Sequence, residues 1–338
     1  MTMEKLSEHI YYDSASTYKW SELNESTFLI RMFSELKRLM AETFLDYTFY
    51  IFSSHNLNVQ PDSITDPSPN KVLIFISDER SSIPSHLQIN YRAIFKSYLQ
   101  SELPGTNIFP FNIGYVNNVP DYPYKPVEDR KINVFYGGNL NFNRLVLYRS
   151  MHPIYRKLPP VILRSVSSIN ARMNGRMLMP ADLSHVLPNS ILYFTDGFKR
   201  GLPPEEYGRI LADSCIVLCP KGFNSSETFR HFEAMRAGAV VISEPLPDTH
   251  FYRDSPIIIV SDWREGLAKA KSLIENPDVL KRLQLETIHW WETVCSEEAT
   301  ARYLRDKLLA ASDSKIHFLS SRNRRKINNR RRIVIENH

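Results

Sequence analysis

Three charged residues recur at every third position in the segment between Leu218 and Ile242. Glu227, Arg230 and Glu233 would therefore share one face of a helix. The guanidinium of Arg230 can pair with a phosphate in a forked geometry, and an acid one turn further along can accept ribose hydroxyls. This face suits a nucleoside diphosphate, although an exposed helix with ordinary salt bridges would account equally well for the spacing.

The residues before this helix resemble a phosphate-binding turn. A buried strand is predicted to end at Pro220, and the spacing of Asn224 and Glu227 predicts a capping box at the start of a helix over 225–237, which Gly238 ends. Helices that start at the carboxyl ends of parallel strands offer free N–H groups to anions. The candidate phosphate-loop residues are Lys221, Gly222, Asn224, Ser225, Ser226 and Glu227.

Strands and helices alternate along the chain, and the alternation starts twice, before and after a proline-rich linker over 117–126. This spacing predicts parallel sheets and an α/β fold with two doubly wound, Rossmann-like domains facing a central cleft. The residue patterns also predict a helix over 91–99, a turn at 137–139, a strand over 161–165 and one continuous helix over 277–309.

Composition excludes several classes of protein. The chain has 338 residues, of which 43% are hydrophobic and 23% are charged, and it has three cysteines. These values fit two globular domains in a reducing compartment and exclude a disordered, collagen-like or disulfide-stapled chain. We find neither a signal peptide nor a membrane-spanning stretch in the sequence, which predicts a cytoplasmic protein, peripheral on a membrane if attached at all.

The last 24 residues are strongly basic. From Lys315 to His338 the net charge is +7, against +5 for the whole chain. This tail could be a solvated terminus, or it could bind anionic lipids or nucleic acid, and we favour the lipid surface over nucleic acid as a partner. The tail residues that would contact an anionic surface are Arg322, Arg324, Arg325, Lys326, Arg330, Arg331 and Arg332.

The segment from Tyr207 to Pro247 resembles the nucleotide-sugar-binding half of GT-B glycosyltransferases, and more closely the exostosin family. The matching features are Leu-Cys-Pro-Lys-Gly over 218–222, Arg-His-Phe-Glu-Ala over 230–234, and the step from Ala-Gly into a strand over 237–242. The stretches 75–79, 95–98 and 109–115 look more loosely like the acceptor-side domain of the same family. They depart from it where Lys-Ser at 96–97 replaces Arg-Asn, and where 111–113 interrupts a Pro–Gly spacing.

The resemblance implies the GT-B architecture. It assigns an acceptor-side domain to 1–126, completed by a C-terminal helix over about 300–314, and a donor-binding domain to 127–299, followed by the tail over 315–338. It also implies transfer of a sugar from a nucleotide-sugar donor, with UDP-sugars favoured, to a glycan or glycolipid, by an inverting reaction. The nucleotide-sugar is a co-substrate, and no cofactor or metal is expected, in line with the lack of a metal-binding Asp-x-Asp pair.

The resemblance assigns Arg230 to the diphosphate and Glu233 to the ribose. It adds a second loop at the cleft, formed by Gly137, Gly138 and Asn139. Arg144, at the start of the following helix, is a further phosphate candidate, although a solvated arginine would account for it nearly as well. An inverting reaction needs a general base from the first domain. The candidates are Asp78 and Glu79, which follow a predicted strand, although either could simply be a loop cap or a surface charge.

Two other functions stay open from the sequence. One is a retaining GT-B transferase, with Glu227 or Glu233 near the donor. The other is a non-catalytic GT-B-like protein that binds a membrane or nucleic acid through its basic tail. The anomeric configuration of the product distinguishes the two enzymes. Salt-dependent oligonucleotide binding that is lost on deletion of the tail, with no sugar transfer, would identify the non-catalytic protein, whereas loss of vesicle binding with sugar transfer kept would favour the transferase.

Overall fold

A computed structural model describes residues 3–151, 157–159, 161, 162, 165, 181–195 and 201–310. It contains two six-stranded sheets that follow one another along the chain. The first sheet has the order β1-β2-β3-β4-β5-β6, with all neighbours parallel except the β1–β2 pair. Its strands are β1 (Glu4–Ser7), β2 (Ile10–Tyr12), β3 (Thr48–Ser53), β4 (Lys71–Ile76), β5 (Ala93–Ser97) and β6 (Ile108–Phe111).

The middle of the first sheet is covered on both faces. Every residue of β4 and β5 is buried, which is typical of parallel strands beneath helices or loops. Helix α1 (Ser26–Met40) covers one face with apolar side chains at helical spacing, among them Phe28, Met32 and Leu36. The helix predicted over 91–99 is wrong, because this stretch forms β5 and pairs with β4 and β6.

The second sheet has the order β12-β11-β10-β7-β9-β8 and is parallel except for the β8–β9 pair. After β7 the chain passes to β9 on one side and then to β10 on the other. The carboxyl end of β7 is therefore a topological switch point, where open α/β sheets bind ligands. Its strands are β7 (Ile132–Asn139), β8 (Ala181–Asp182), β9 (Ile191–Thr195), β10 (Ser214–Cys219), β11 (Val240–Ser243) and β12 (Ile258–Ile259).

The remaining helices complete both halves of the chain. They are α2 (Leu145–Met151), α3 (Pro204–Ala212), α4 (Phe229–Arg236), α5 (Trp263–Ile274), α6 (Pro277–Trp290) and α7, over 297–310. Short 3-10 turns cover Trp20–Glu22, Ala41–Asp46, Asp62–Thr65, Ser85–Leu87, Val127–Asp129 and Ser184–Val186. The strand predicted over 161–165 is wrong, since its described residues 161, 162 and 165 are helical.

The continuous helix predicted over 277–309 is also wrong. A π-helical turn at Trp291–Cys295 separates α6 from α7, and Ser296 is extended. Asn112, from the loop after β6, donates from Nδ2 to the carbonyl of Cys295 at 3.1 Å and to the hydroxyl of Thr300 at 2.8 Å. The side chain of Asn112 thus satisfies a carbonyl that a straight helix would have bonded itself.

Helix α7 brings the chain back to the first sheet. The ring of Tyr303 packs on Phe95 of β5 with centroids 6.3 Å apart. The two halves also meet where Asp248 forms backbone hydrogen bonds with Gln100 at 2.9 Å and Glu102 at 3.3 Å. These contacts join the two halves of the chain. None of the described helices has the length and apolar character needed to cross a bilayer.

The predicted fold class is confirmed: the chain is α/β, with two Rossmann-like sheets and a cleft between them. The basic tail over 315–338, including Arg322 to Arg332, lies outside the described residues.

Candidate active site

A cavity of about 610 Å³ lies between the two halves of the chain. Its first-half wall consists of Tyr18, Asn24, Glu79, Tyr98 and Val116. Its second-half wall consists of Gly138, Asn139, Arg144, Thr195, Gly201, Gly222, Phe223, Glu227, Thr228, Phe229, Arg230 and Glu233. Of the predicted site residues, the cavity brings together Glu79, Gly138, Asn139, Arg144, Gly222, Glu227, Arg230 and Glu233.

The turn predicted at Gly137, Gly138 and Asn139 is wrong, because all three residues continue strand β7 and pair with β9. The glycines have a different purpose there. A Cβ on Gly138 would lie 2.6 Å from Nη2 of Arg230 and 3.3 Å from Nη1 of Arg144. Only glycine lets both guanidiniums approach the backbone this closely, so the end of β7 is built around two cations.

Arg230 is held at the end of β7 but is only partly satisfied. Its side chain is 9% exposed, Nη2 donates to the carbonyl of Gly137 at 2.7 Å, and the guanidinium lies 5.0 Å from the ring centroid of Tyr136. Its Nε and Nη1 are buried and have no hydrogen-bond partner. Unpartnered buried N–H groups on a cation are costly, and an anion entering the cleft would satisfy them.

Arg144 is the second buried cation of the cleft. It donates from Nη1 to the carbonyl and the side-chain oxygen of Asn139, and from Nε to the carbonyl of Lys221 at 3.3 Å. Burial lowers the pKa of Arg144, and the charge of nearby Arg230 acts in the same direction. Two like charges that converge on one glycine favour a multiply charged anion such as a diphosphate.

Glu233 lies on the same helix as Arg230 and is fixed from two sides. Its carboxylate accepts from the hydroxyl of Tyr207 at 2.8 Å and from the backbone N–H of Val116 at 3.2 Å. Burial raises the pKa of Glu233. Glu233 is 5% exposed and lines the cavity. Its fixed carboxyl group could accept a hydrogen bond from a ribose hydroxyl or donate one to it.

The capping box predicted at Asn224 and Glu227 is wrong. Helix α4 begins at Phe229, and its cap is Thr228, whose backbone N–H donates to Nδ1 of His231 at 3.2 Å. The residues before it form a turn, in which the N–H of Gly222 donates to the carbonyl of Ser225 at 2.9 Å. The hydroxyl of Ser225 accepts from the N–H of Glu227 at 3.1 Å. Because these hydrogen bonds engage the backbone of residues 222–227 in a turn, the helix begins only at Phe229.

The other phosphate-loop candidates lie outside the cavity wall. The backbone N–H of Lys221 donates to Glu244 at 2.7 Å. Ser225 is buried and Ser226 is half-buried. Asn224 is exposed, and its Nδ2 lies 3.5 Å from a carboxylate oxygen of Glu79 on the opposite half of the chain.

The two predicted base candidates differ in their surroundings. Asp78 is 1% exposed, accepts from the N–H groups of Arg80 and Ser82 at 3.2 Å each, and pairs with the buried ammonium of Lys96 at 3.4 Å. It is a loop cap and a partner for a buried charge, and it does not line the cavity. Glu79 is half-buried and does line the cavity.

Glu227 is a buried carboxyl that also lines the cavity. It is 5% exposed, and Oε1 accepts from the hydroxyl of Tyr252 at 3.0 Å. Burial raises the pKa of Glu227 to about 8, while the Tyr252 hydrogen bond and the charge of Lys96 act in the opposite direction. At neutral pH this carboxyl holds a proton, so it can donate a hydrogen bond into the cleft.

Replacement of Glu227 by glutamine should change how stability depends on pH. The pKa of Glu227 is about 8 in the folded protein, above its ordinary value of 4.5. The stability that this carboxyl contributes is therefore complete below pH 4.5 and is lost as the pH rises through 8. We expect Glu227→Gln to gain Tm relative to wild type progressively between pH 5 and pH 8, measured by thermal unfolding. A Tm difference that does not vary with pH would contradict the assignment.

Several residues that build the cleft were not predicted from the sequence. Tyr136 places its ring beside Arg230, and Asn143 donates to the carbonyls of Gly222 at 2.6 Å and Phe223 at 2.7 Å. Asn143 thereby ties the loop after β7 to the loop after β10. The available signal was the run of asparagines at 139, 141 and 143, a residue type enriched in tight loops. Within the described residues, no group of three His, Cys, Asp or Glu side chains could hold a metal ion.

The comparisons with known proteins bear on the second half of the chain. Residues 185–306 match the model of a family described as "Glycosyl transferase-like". The matched stretch includes Arg230, Glu233 and the loop before α4. None of the curated proteins matches the chain.

Several solved structures are similar to most of the chain. They include TarM, with a TM-score of 0.43 and 10% identity over 81% of this chain and 57% of that one. A glycosyltransferase from Rickettsia africae has a TM-score of 0.40 and 11% identity over 86% and 83% of the two chains. MurG from Acinetobacter baumannii has a TM-score of 0.39 and 10% identity over 84% and 80%. The chain thus spans less than two thirds of the length of TarM.

Proposed function

We propose that the protein is an inverting GT-B glycosyltransferase that moves a sugar from a nucleotide-sugar, with UDP-sugars favoured, to a glycan or glycolipid. The observation that carries this proposal is the pair of buried guanidiniums, Arg230 and Arg144, that converge on Gly138 in the cleft. Arg230 has two buried N–H groups without a partner. The glycosyl transferase-like match over 185–306 includes α4, the helix that carries Arg230.

The donor diphosphate would occupy the end of β7. Arg230 and Arg144 would take the charge that develops on the leaving diphosphate, which is the role that fixed cations have in such reactions. Glu233 would hold the ribose. Because two guanidiniums supply positive charge at the leaving group, the reaction as proposed does not need a metal ion or a cofactor.

Glu79 is the proposed general base. The acceptor hydroxyl oxygen attacks the anomeric carbon, the bond from that carbon to the diphosphate oxygen breaks, and Glu79 takes the hydroxyl proton. Glu79 lines the cavity on the wall opposite Arg230, as attack from the far side of the sugar requires. Asp78 is not proposed as the base, because Lys96 and two backbone N–H groups already occupy its carboxylate.

The assignment of the diphosphate to Arg230 and Arg144 and of the base to Glu79 also indicates which half of the chain binds each substrate. We propose that 1–126, with the C-terminal helix expected from the sequence over about 300–314, takes the acceptor and that 127–299 takes the donor. The likeness to the exostosin family, specifically, is carried by the sequence motifs over 207–247.

The basic tail is the proposed contact with a membrane that bears the acceptor, in a cytoplasmic protein. Its seven arginine and lysine residues between 322 and 332 should attract anionic lipid head groups, with about 1 kcal/mol from each residue near the surface. We expect the full chain, but not a chain ending at residue 314, to co-sediment with phosphatidylserine vesicles at low salt. Equal sedimentation of the two chains would contradict this role.

Nucleotide binding tests the donor site directly. A ligand that binds only the folded state raises Tm, and the rise grows with affinity. We expect one of UDP, GDP, CMP, ADP and TDP to raise the Tm of the purified protein, with UDP favoured. If none of the five raises Tm, the donor site is wrong as proposed.

A further inference from the structure

The two walls of the cleft differ in charge. The second-half wall carries the cations Arg144 and Arg230 beside the buried carboxyl groups of Glu227 and Glu233, whereas the lining residues from the first half are two tyrosines, an asparagine, a valine and one glutamate. Among the described residues that line this first wall, none carries a positive charge. A phosphate bound against it would meet the carboxylate of Glu79 with no cation to compensate.

The backbone is strained where the first wall meets the cleft. Ser77 and Tyr98 follow directly after β4 and β5, and both have left-handed backbone conformations, with φ of 72° and 62°. A bulky residue in this region is an outlier that costs on the order of 1 kcal/mol or more. Such strain clusters at functional sites, and here the two turns bring Glu79 and Tyr98 to the same cavity wall.

Tyr98 supplies a hydroxyl to this wall. The residue is 7% exposed and lines the cavity. Burial raises the pKa of Tyr98, and the charges of Glu79 and Glu227 act in the same direction. The phenol therefore stays protonated and can donate a hydrogen bond to an oxygen that lies between it and Glu79.

Tyr18 supplies an aromatic face that is held in place. The N–H of neighbouring Thr17 donates to the carbonyl of Ser53 at 2.8 Å, and the hydroxyl of Tyr12 donates to the carbonyl of Tyr18. The Tyr18 ring lies 5.9 Å from the ring of His55 and is 41% exposed. An aromatic ring that borders a cavity can bind the C–H face of a sugar, and the fixed main chain of Tyr18 reduces the conformational entropy that binding costs.

We propose that the first wall selects a neutral sugar as the acceptor, with its ring stacked on Tyr18 and its reacting hydroxyl between Tyr98 and Glu79. This inference rests on the proposed function, since it names the acceptor class of the same site. It excludes an acceptor sugar that carries a phosphate next to the reacting hydroxyl.

Saturation-transfer NMR with matched sugars tests this proposal. The probes are the methyl glycosides of glucose, galactose, mannose, xylose and N-acetylglucosamine, and the 6-phosphates of the four hexosides, with UDP present to occupy the cationic wall. We expect at least one neutral glycoside to receive saturation at its ring protons, and its phosphate to receive none. The loss of aromatic stacking should weaken binding about tenfold in Tyr18→Ala. The loss of one hydrogen bond should weaken it about fivefold in Tyr98→Phe.

Leu45→Ala is the matched control, because Leu45 is 43% exposed, much as Tyr18 is, and lies outside the cavity wall. It should bind the glycoside as the wild type does. The proposal is overturned if no neutral glycoside binds, if the phosphates bind better, or if neither tyrosine variant weakens binding. The nucleotide-dependent rise in Tm is a separate readout: if it persists while glycoside binding fails, the acceptor proposal is wrong and the donor site stands. If Tyr98→Phe fails to fold, Tyr18→Ala alone decides.

Discussion

Replacement of Arg230 by alanine is expected to abolish the rise in Tm that a nucleoside diphosphate gives the wild-type protein. The variant removes the Nε and Nη1 groups that lack a partner in the cleft. Hydrogen bonds to a charged group contribute about 1.5–3 kcal/mol each. Loss of a forked pair should therefore weaken nucleotide binding at least about 100-fold, which titration calorimetry would measure.

Arg236→Ala is the matched control for this experiment. Arg236 lies on the same helix α4, is also buried, and donates to the carbonyl of Val119 at 3.2 Å while pairing with Asp121 at 3.2 Å. It is not part of the cavity wall. Its loss should lower Tm but leave the nucleotide-dependent rise intact. An Arg230→Ala protein that binds the nucleotide as tightly as the wild type would refute the diphosphate assignment.

Replacement of Glu79 by glutamine is expected to lower turnover by about 10²- to 10⁴-fold, the usual contribution of a general base. Nucleotide binding should stay unchanged, since Glu79 lies on the wall opposite the two guanidiniums. The measurement is kcat for sugar transfer, with the nucleotide-dependent rise in Tm taken on the same samples.

Asp78→Asn provides the contrast with Glu79→Gln. This change removes the charge that partners buried Lys96, and breaking a buried ion pair typically costs about 3–5 kcal/mol of stability. We expect a lower Tm, with kcat per folded molecule close to that of the wild type. If Asp78→Asn is folded and inactive while Glu79→Gln is active, the base has been assigned to the wrong residue of the pair.

The cationic face of α4 is the part of the site that the sequence predicts best. The three-residue spacing predicts that Glu227, Arg230 and Glu233 share one helix face; Arg230 and Glu233 do lie on α4, whereas Glu227 precedes its cap, although all three line the cavity. The helix start was predicted four residues early, since Asn224 and Glu227 fit a capping box as well as Thr228 and His231 do. The choice between them depends on Ser243, whose hydroxyl lies 2.8 Å from Nε2 of His231, a contact between elements distant in sequence.

Two other errors have the same origin in tertiary context. Residues 91–99 have an apolar pattern that fits a helix, but Lys96 is buried in a strand because Asp78 neutralises it. The pair of glycines at 137 and 138 suggests a turn, but β7 extends through them: the ring of Tyr193 occupies the space beside Gly137, and the guanidiniums of Arg230 and Arg144 lie beside Gly138. The sequence does not distinguish adjacent Asp78 and Glu79 as base candidates. In the structure they follow the left-handed turn at Ser77, after which Asp78 is buried and Glu79 lines the cleft.

Release of the nucleotide from a nucleotide-sugar is the most direct test of the proposed glycosyl transfer. The purified protein would be incubated with UDP-, GDP-, CMP-, ADP- and TDP-sugars and the neutral glycoside that binds best, and NMR would follow the free nucleotide and the anomeric configuration of the product. We predict that the nucleotide is released from one donor class, UDP-sugars being favoured, with inversion at the anomeric carbon. The Arg230→Ala protein should release none. Retention of configuration would contradict the inverting reaction, and a folded protein that releases no nucleotide from any donor would contradict the transferase itself.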